Sequence, residues 1–187
     1  LVPLRATLPH VDGFTVNISC PATPELRAFG RKDAMAALLS GLRAARDEMT
    51  NRLDGRFRPL ILKVSSDIDD EERAAIVDVC RAGLADGLVL TNTSTARPQD
   101  LIAPAKIHSE RGGLSGKPLQ ERSLALIEWF AKATGGKTPI IGTGGIFTAE
   151  DARRALAAGA SLVEVYTGFI YEGPAIVRRL LSGLQDG

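Results

Sequence analysis

Cysteine is nearly absent from this chain, which has only Cys20 and Cys80 among its 187 residues. The two lie far apart in unlike surroundings, which excludes a disulfide framework and fits a reducing compartment. An excess of one charge is also missing. Lys and Arg number 23 against 22 Asp and Glu, a net charge of +1. With no basic cluster either, nothing marks a nucleic-acid partner. No apolar run approaches the roughly 20 residues that span a bilayer, so no transmembrane segment is expected. No signal peptide is expected from the opening residues. His10 and His108, the two histidines, lack Cys, His or acidic partners at ligand spacing, and no metal site is expected. An initiator Met is lacking as well. Leu1-Val-Pro-Leu-Arg5 reads like the middle of a helix, so further sequence is expected upstream.

What is present is an ordinary globular composition, 44% hydrophobic, in one domain's worth of chain. The pattern is strand, then helix, repeated five times. Phe14–Ile18 reads as a short strand and Asp33–Thr50 as an amphipathic helix with Met35, Leu38, Leu42, Ala45 and Met49 on one face. Leu60–Val64 is apolar apart from Lys63 and suits a strand buried on both faces. A helix over Asp70–Leu84 has Asp69 and Glu72 at capping-box spacing, and its inner face is Ile76, Val79, Cys80 and Gly83. Gly87–Thr91 is the next strand. A long excursion, Ser94–Lys117, follows and reads as a lid or subdomain. A helix from Leu119 then places Leu126, Ile127 and Phe130 inward, and the last helix opens at Pro174.

Alternating β and α elements imply a parallel sheet. Five units do not close a barrel, which takes eight strands and about 250 residues. The chain is therefore either an open doubly wound sheet or the C-terminal part of a (β/α)8 TIM barrel. Polar Asn17, Lys63, Asn92 and Thr167 at strand C-terminal ends favour the barrel, whose chemistry sits on that face.

Two strands end in loops able to wrap a phosphate with backbone N–H groups: Pro139-Ile-Ile-Gly-Thr-Gly-Gly145 and Ser161-Leu-Val-Glu-Val-Tyr-Thr-Gly168. The helix between them is opened by Thr148 and Asp151 and closed by Gly159. Such barrels build their phosphate site on two successive loops of this kind, so a phosphate-bearing ligand is expected. The blander reading is that the glycines only close tight turns. Lys63 is a lone charge in an apolar strand: it ends in a polar site or faces a ligand's negative charge, or it is a lysine snorkelling from the strand end. Cys20, on the loop after the first strand, is either a base or nucleophile, if cations lower its pKa, or a small apolar filler. Asn92 and Thr93 suit a flat, amide-rich ligand or an ordinary turn.

Taken in order, VNISCPATPELR, LILKV, GLVLTNTSTARP, RGGLSGKPL, PIIGTGGI and LVEVYTGFIYEGP resemble dihydroorotate dehydrogenase over about Phe14 to Gly173. The resemblance implies an FMN-dependent (β/α)8 barrel of pyrimidine biosynthesis that oxidises dihydroorotate to orotate. Residues 1–187 would form the C-terminal part of that single domain, from its fourth strand to its eighth. It also implies roles for individual residues. Asn17 would touch flavin and substrate, and Lys63 the flavin's N1/O2 edge. Thr91 would contact flavin, while Asn92 and Thr93 would hydrogen-bond orotate. Ser115 and Gly116 would lie along the flavin, and Gly144, Gly145, Tyr166 and Thr167 would hold its phosphate. Cys20 would be the general base.

The segments GGLSGKPL and YTGFIYEGP resemble the membrane-associated, quinone-using branch, so electrons would pass to quinone. Localisation would be cytoplasmic or peripheral on the inner face of a membrane. Two positions depart from the pattern. That branch places serine where this chain has Cys20, and the family has a substrate-binding asparagine where this chain has Ala22. The alternatives are a divergent FMN-barrel oxidoreductase with another substrate and an inactive half-barrel fragment. A tRNA-modifying flavin reductase is disfavoured by the neutral charge, and a phosphosugar isomerase has no use for Lys63.

Overall fold

The computed structural model describes residues 2–19, 31–99, 101–102 and 104–185. Its sheet has five strands: β1 (Phe14–Asn17), β2 (Leu60–Val64), β3 (Gly87–Leu90), β4 (Ile140–Thr143) and β5 (Leu162–Glu164). All neighbours pair in parallel, and the order in space is the order in sequence. A doubly wound sheet reverses direction at a switch point. This one never does, so the chain folds as consecutive units of a (β/α)8 barrel wall.

The pairing register sorts the side chains. Phe14, Val16, Leu60, Leu62, Val64, Leu88, Leu90 and Ile140 share one face and join Leu39, Ile76, Ile127 and Phe130 of the helices in one apolar core. The opposite face carries Thr15, Asn17, Ile61, Lys63, Val89, Ile141, Thr143 and Glu164. β2 therefore alternates: Leu60, Leu62 and Val64 are buried, while Ile61 and Lys63 are only partly covered. The expectation of a strand buried on both faces is corrected on this point.

The helices are α1 (Val2–Thr7), α2 (Lys32–Arg52), α3 (Asp70–Arg81), α4 (Ala105–Ser109), α5 (Gln120–Ala133), α6 (Ala149–Ala157), α7 (Thr167–Glu172) and α8 (Ala175–Gln185). Both expected capping boxes form, Asp69 with Glu72 on α3 and Thr148 with Asp151 on α6. On α2 the deepest apolar residues are Met35, Leu39 and Ala45, with Leu38 and Leu42 half-covered at the flank. α3 stops at Arg81, and Gly83, at φ +65°, lies past its end instead of on its inner face. The six-residue α7 is not apparent in the sequence. The excursion after β3 is stitched at its base by an antiparallel bridge between Ser94 and Leu114. Within it, the Arg97 guanidinium donates to the carbonyls of Glu110 and Gly112, each at 3.0 Å. Among the described residues no helix is long and apolar enough to cross a membrane.

Candidate active site at the strand ends

The C-terminal ends of β2 to β5 open into a cleft of about 280 Å³. Lys63 of β2 lines it, with Thr91, Asn92 and Thr93 from the end of β3. Ser115 and Gly116 come from the close of the excursion, Gly144 and Gly145 from beyond β4, and Tyr166 and Thr167 from beyond β5. Asn17 is joined to this group through Asn92, whose Nδ2 donates to Asn17 Oδ1 at 3.3 Å. Cys20 and Ala22 lie outside the described residues.

The glycine turn after β4 has a steric reason. Gly145 adopts φ +71°, and a methyl group there would stand 2.6 Å from Gln120 Cβ and 3.1 Å from the Gly116 carbonyl oxygen. Gln120 Nε2 donates to the Gly145 carbonyl at 3.1 Å and to Asp151 Oδ1 at 2.6 Å. Asp151 also accepts from Lys117 Nζ at 2.6 Å and from the backbone N–H groups of Phe147 and Thr148. Burial opposes its ionisation, but these donors outweigh burial and hold its pKa well below the usual carboxylate range. The acid that caps α6 thus also anchors the turn beneath the cleft.

Across the cleft, α7 begins at Thr167, and the first N–H groups of a helix have no partner within it. Gly168 is required here, since a methyl group on it would meet the Ile146 carbonyl oxygen at 2.5 Å. Ser115 Oγ and Thr167 Oγ1 share a hydrogen bond of 2.9 Å, which fastens the close of the excursion to α7. Phosphate sites of (β/α)8 barrels combine the last two strand loops with a short extra helix in this manner.

The remaining wall is polar and amide-rich. Asn92 Nδ2 donates to the Ser19 carbonyl and Ser19 Oγ, each at 3.0 Å, and Asn92 Oδ1 accepts from the Thr93 N–H at 2.9 Å. Thr91 Oγ1 is buried and has no hydrogen-bond partner. A buried hydroxyl left open in a cleft wall is available to a ligand. Lys63 Nζ donates to Glu164 Oε1 at 3.3 Å. The lone strand charge therefore has a partner that the sequence reading did not name. Glu164 is itself a lone charge in an apolar strand, so the signal that singled out Lys63 would have found it.

Asp67 is a second residue of the site that the motifs do not single out. It accepts from Ser94 Oγ and the Thr95 N–H at 2.6 Å and from Thr95 Oγ1 at 2.9 Å, which clamps the root of the excursion to the loop after β2. Burial works against its ionisation, but these donors and Arg122 hold its pKa below the ordinary value. Its signal was an acid four residues beyond Lys63 at a strand end. Gly113 lets the excursion backbone rest directly on the Thr93 side chain.

The family model described as "Dihydroorotate dehydrogenase" matches residues 3–187. The chain belongs to the dihydroorotate dehydrogenase family. Members of this family are oxidoreductases. The chain is 45% identical over 179 residues to a "Dihydroorotate dehydrogenase (quinone)" of Cyanothece sp., covering 93% of this chain and 46% of that protein. It is 40% identical over 186 residues to the protein of the same name from Cellvibrio japonicus, covering 100% of this chain and 54% of that one. The crystal structure of ligand-free DHODH from Eimeria tenella superposes with a TM-score of 0.86 at 33% identity, over 98% of this chain and 54% of that one. The chain thus spans about half the length of the curated relatives it matches.

Proposed function

We propose that the protein containing this chain oxidises dihydroorotate to orotate with FMN and passes the electrons to quinone. The observation that carries this reading is the convergence of two phosphate-type turns, one cation and an amide cluster, from separate strands, on one cleft. FMN fits the residues present. Gly145 leaves a cradle that a Cβ would fill, and Thr91 Oγ1 is a buried hydroxyl without a partner.

Gly144, Gly145, Tyr166 and Thr167 would hold the phosphate through backbone N–H groups, and Thr91, Ser115 and Gly116 would lie along the flavin. When bound, FMN supplies the acceptor for the hydride that leaves C6 of dihydroorotate. Lys63 places a positive charge where negative charge grows. Asn17, Asn92 and Thr93 orient the substrate ring, and Cys20 removes the C5 proton at Sγ. The relatives named as quinone enzymes support quinone as acceptor and, with it, a place in the cytoplasm or at the inner face of a membrane.

The test is the full-length protein. It should purify with FMN, and its visible flavin absorbance should bleach on anaerobic addition of dihydroorotate. A protein without FMN, or one whose FMN is indifferent to dihydroorotate, overturns the reading. Ala22 favours a second reading, a divergent family member with another substrate, because a missing polar partner in such a site discriminates strongly. Ala22→Asn should tighten orotate by roughly 1–3 kcal/mol if orotate is the ligand. Unchanged or weaker binding would favour the other substrate.

A further inference from the structure

Lys63 and Glu164 are the two charged side chains on the concave face of the sheet among the described residues. They stand on β2 and β5, with β3 and β4 between them, yet Nζ and Oε1 are 3.3 Å apart. Both line the cleft, and Glu164 is the acceptor that Lys63 Nζ uses there. The Glu164 side chain is 42% exposed and that of Lys63 22%, so the lysine is the more deeply held partner. The neighbouring side chains on that face, Val89, Ile141 and Thr143, carry no charge that could share either role.

We propose that Glu164 is a counter-ion that damps the positive field of Lys63, so that the cleft holds a negatively charged, reduced flavin less tightly than Lys63 alone would. This rests on the reading that Lys63 faces the flavin's N1/O2 edge. The physical basis is superposition of fields. A carboxylate beside an ammonium cancels part of its field at any third group, an effect that solvent around the half-exposed Glu164 reduces but does not remove. Glu164 then sets the balance between reduced and oxidised cofactor without itself taking a proton or an electron.

The experiment is spectroelectrochemistry on the full-length FMN-loaded protein. Glu164→Gln keeps the shape and removes the charge. It should favour reduced over oxidised FMN by about tenfold, a rise of about 30 mV in the two-electron midpoint potential. Lys63→Met should lower the potential, and the double variant should fall between the two single ones. A partner with a purely structural role would leave the potential where it is, so an unchanged value in an FMN-loaded Glu164→Gln protein overturns the proposal. Glu164→Ala serves as a second neutral variant with the same expectation. If neither neutral variant retains FMN, Glu164 is a structural support and the proposal also fails. If the unmodified full-length protein itself carries no FMN, the flavin reading falls, which is a separate and recognisable outcome.

Discussion

Gln120 stands directly behind Gly145. Its Cβ lies 2.6 Å from where a Cβ on residue 145 would be, and its side-chain amide holds the Gly145 carbonyl at 3.1 Å. The turn is therefore constrained by φ, by contact and by a hydrogen bond together. Gly145→Val should force the backbone out of φ +71° and push the turn away from Gln120, abolishing FMN retention. FMN content equal to wild type after purification would remove the phosphate assignment.

Lys63→Met removes the cation of the cleft wall and leaves Glu164 unpaired. The loss is expected mainly in the rate of flavin reduction, by a barrier of about 3 kcal/mol, comparable to loss of an oxyanion-type donor. Stopped-flow bleaching with dihydroorotate measures it. A rate equal to wild type would make Lys63 a strand-end lysine and nothing more.

Asp151 links acid stability to the site. Its pKa is depressed in the folded protein relative to about 3.9 when unfolded, so the unfolded state binds more protons at low pH. Its contribution is present above about pH 4 and is lost as pH falls toward the folded value. Asp151→Asn should lower the melting temperature at pH 7 and flatten its fall below pH 4. A variant whose melting curve parallels wild type at every pH would contradict this.

Asp67 acts on the excursion. Asp67→Ala removes the acceptor of three donors from Ser94 and Thr95, so the root of the excursion should open more often. Hydrogen exchange should quicken at Thr95 and Leu114, and KM for dihydroorotate should rise more than kcat falls. Exchange unchanged at those amides would show that the Ser94–Leu114 bridge holds the excursion without Asp67.

The two cysteines should react differently. Burial pushes the Cys80 thiol up to about 11, against a smaller opposing hydrogen bond from Thr138, so it stays protonated and shielded. Iodoacetamide at mildly alkaline pH should therefore label Cys20 and inactivate the enzyme, and orotate should protect it. Cys20→Ser should move the rising limb of the pH–rate profile to higher pH, since a free thiol titrates near ~8.5 and a serine hydroxyl far higher. Full activity in Cys20→Ala would place the base elsewhere.

Much of this protein is local physics, and local physics can be read along a chain. Asp69 with Glu72 and Thr148 with Asp151 cap helices because three-residue spacing brings side chain and backbone together wherever the chain lies. The two glycine turns, the apolar strand runs and the five-unit alternation were legible for the same reason. α7 was not, because Thr167–Glu172 is a single short run without a capping side chain and too brief to show a period. What only tertiary structure decided is which distant residues meet. Lys63 and Glu164 are 101 positions apart and touch because the strands run in sequential parallel order on a curved sheet. Asp67 reaches Ser94, and Gln120 underpins Gly145, because neighbouring strand–helix loops crowd together at one end of that sheet. The strength of these interactions depends on separation and burial in space, and neither quantity is written in residue spacing.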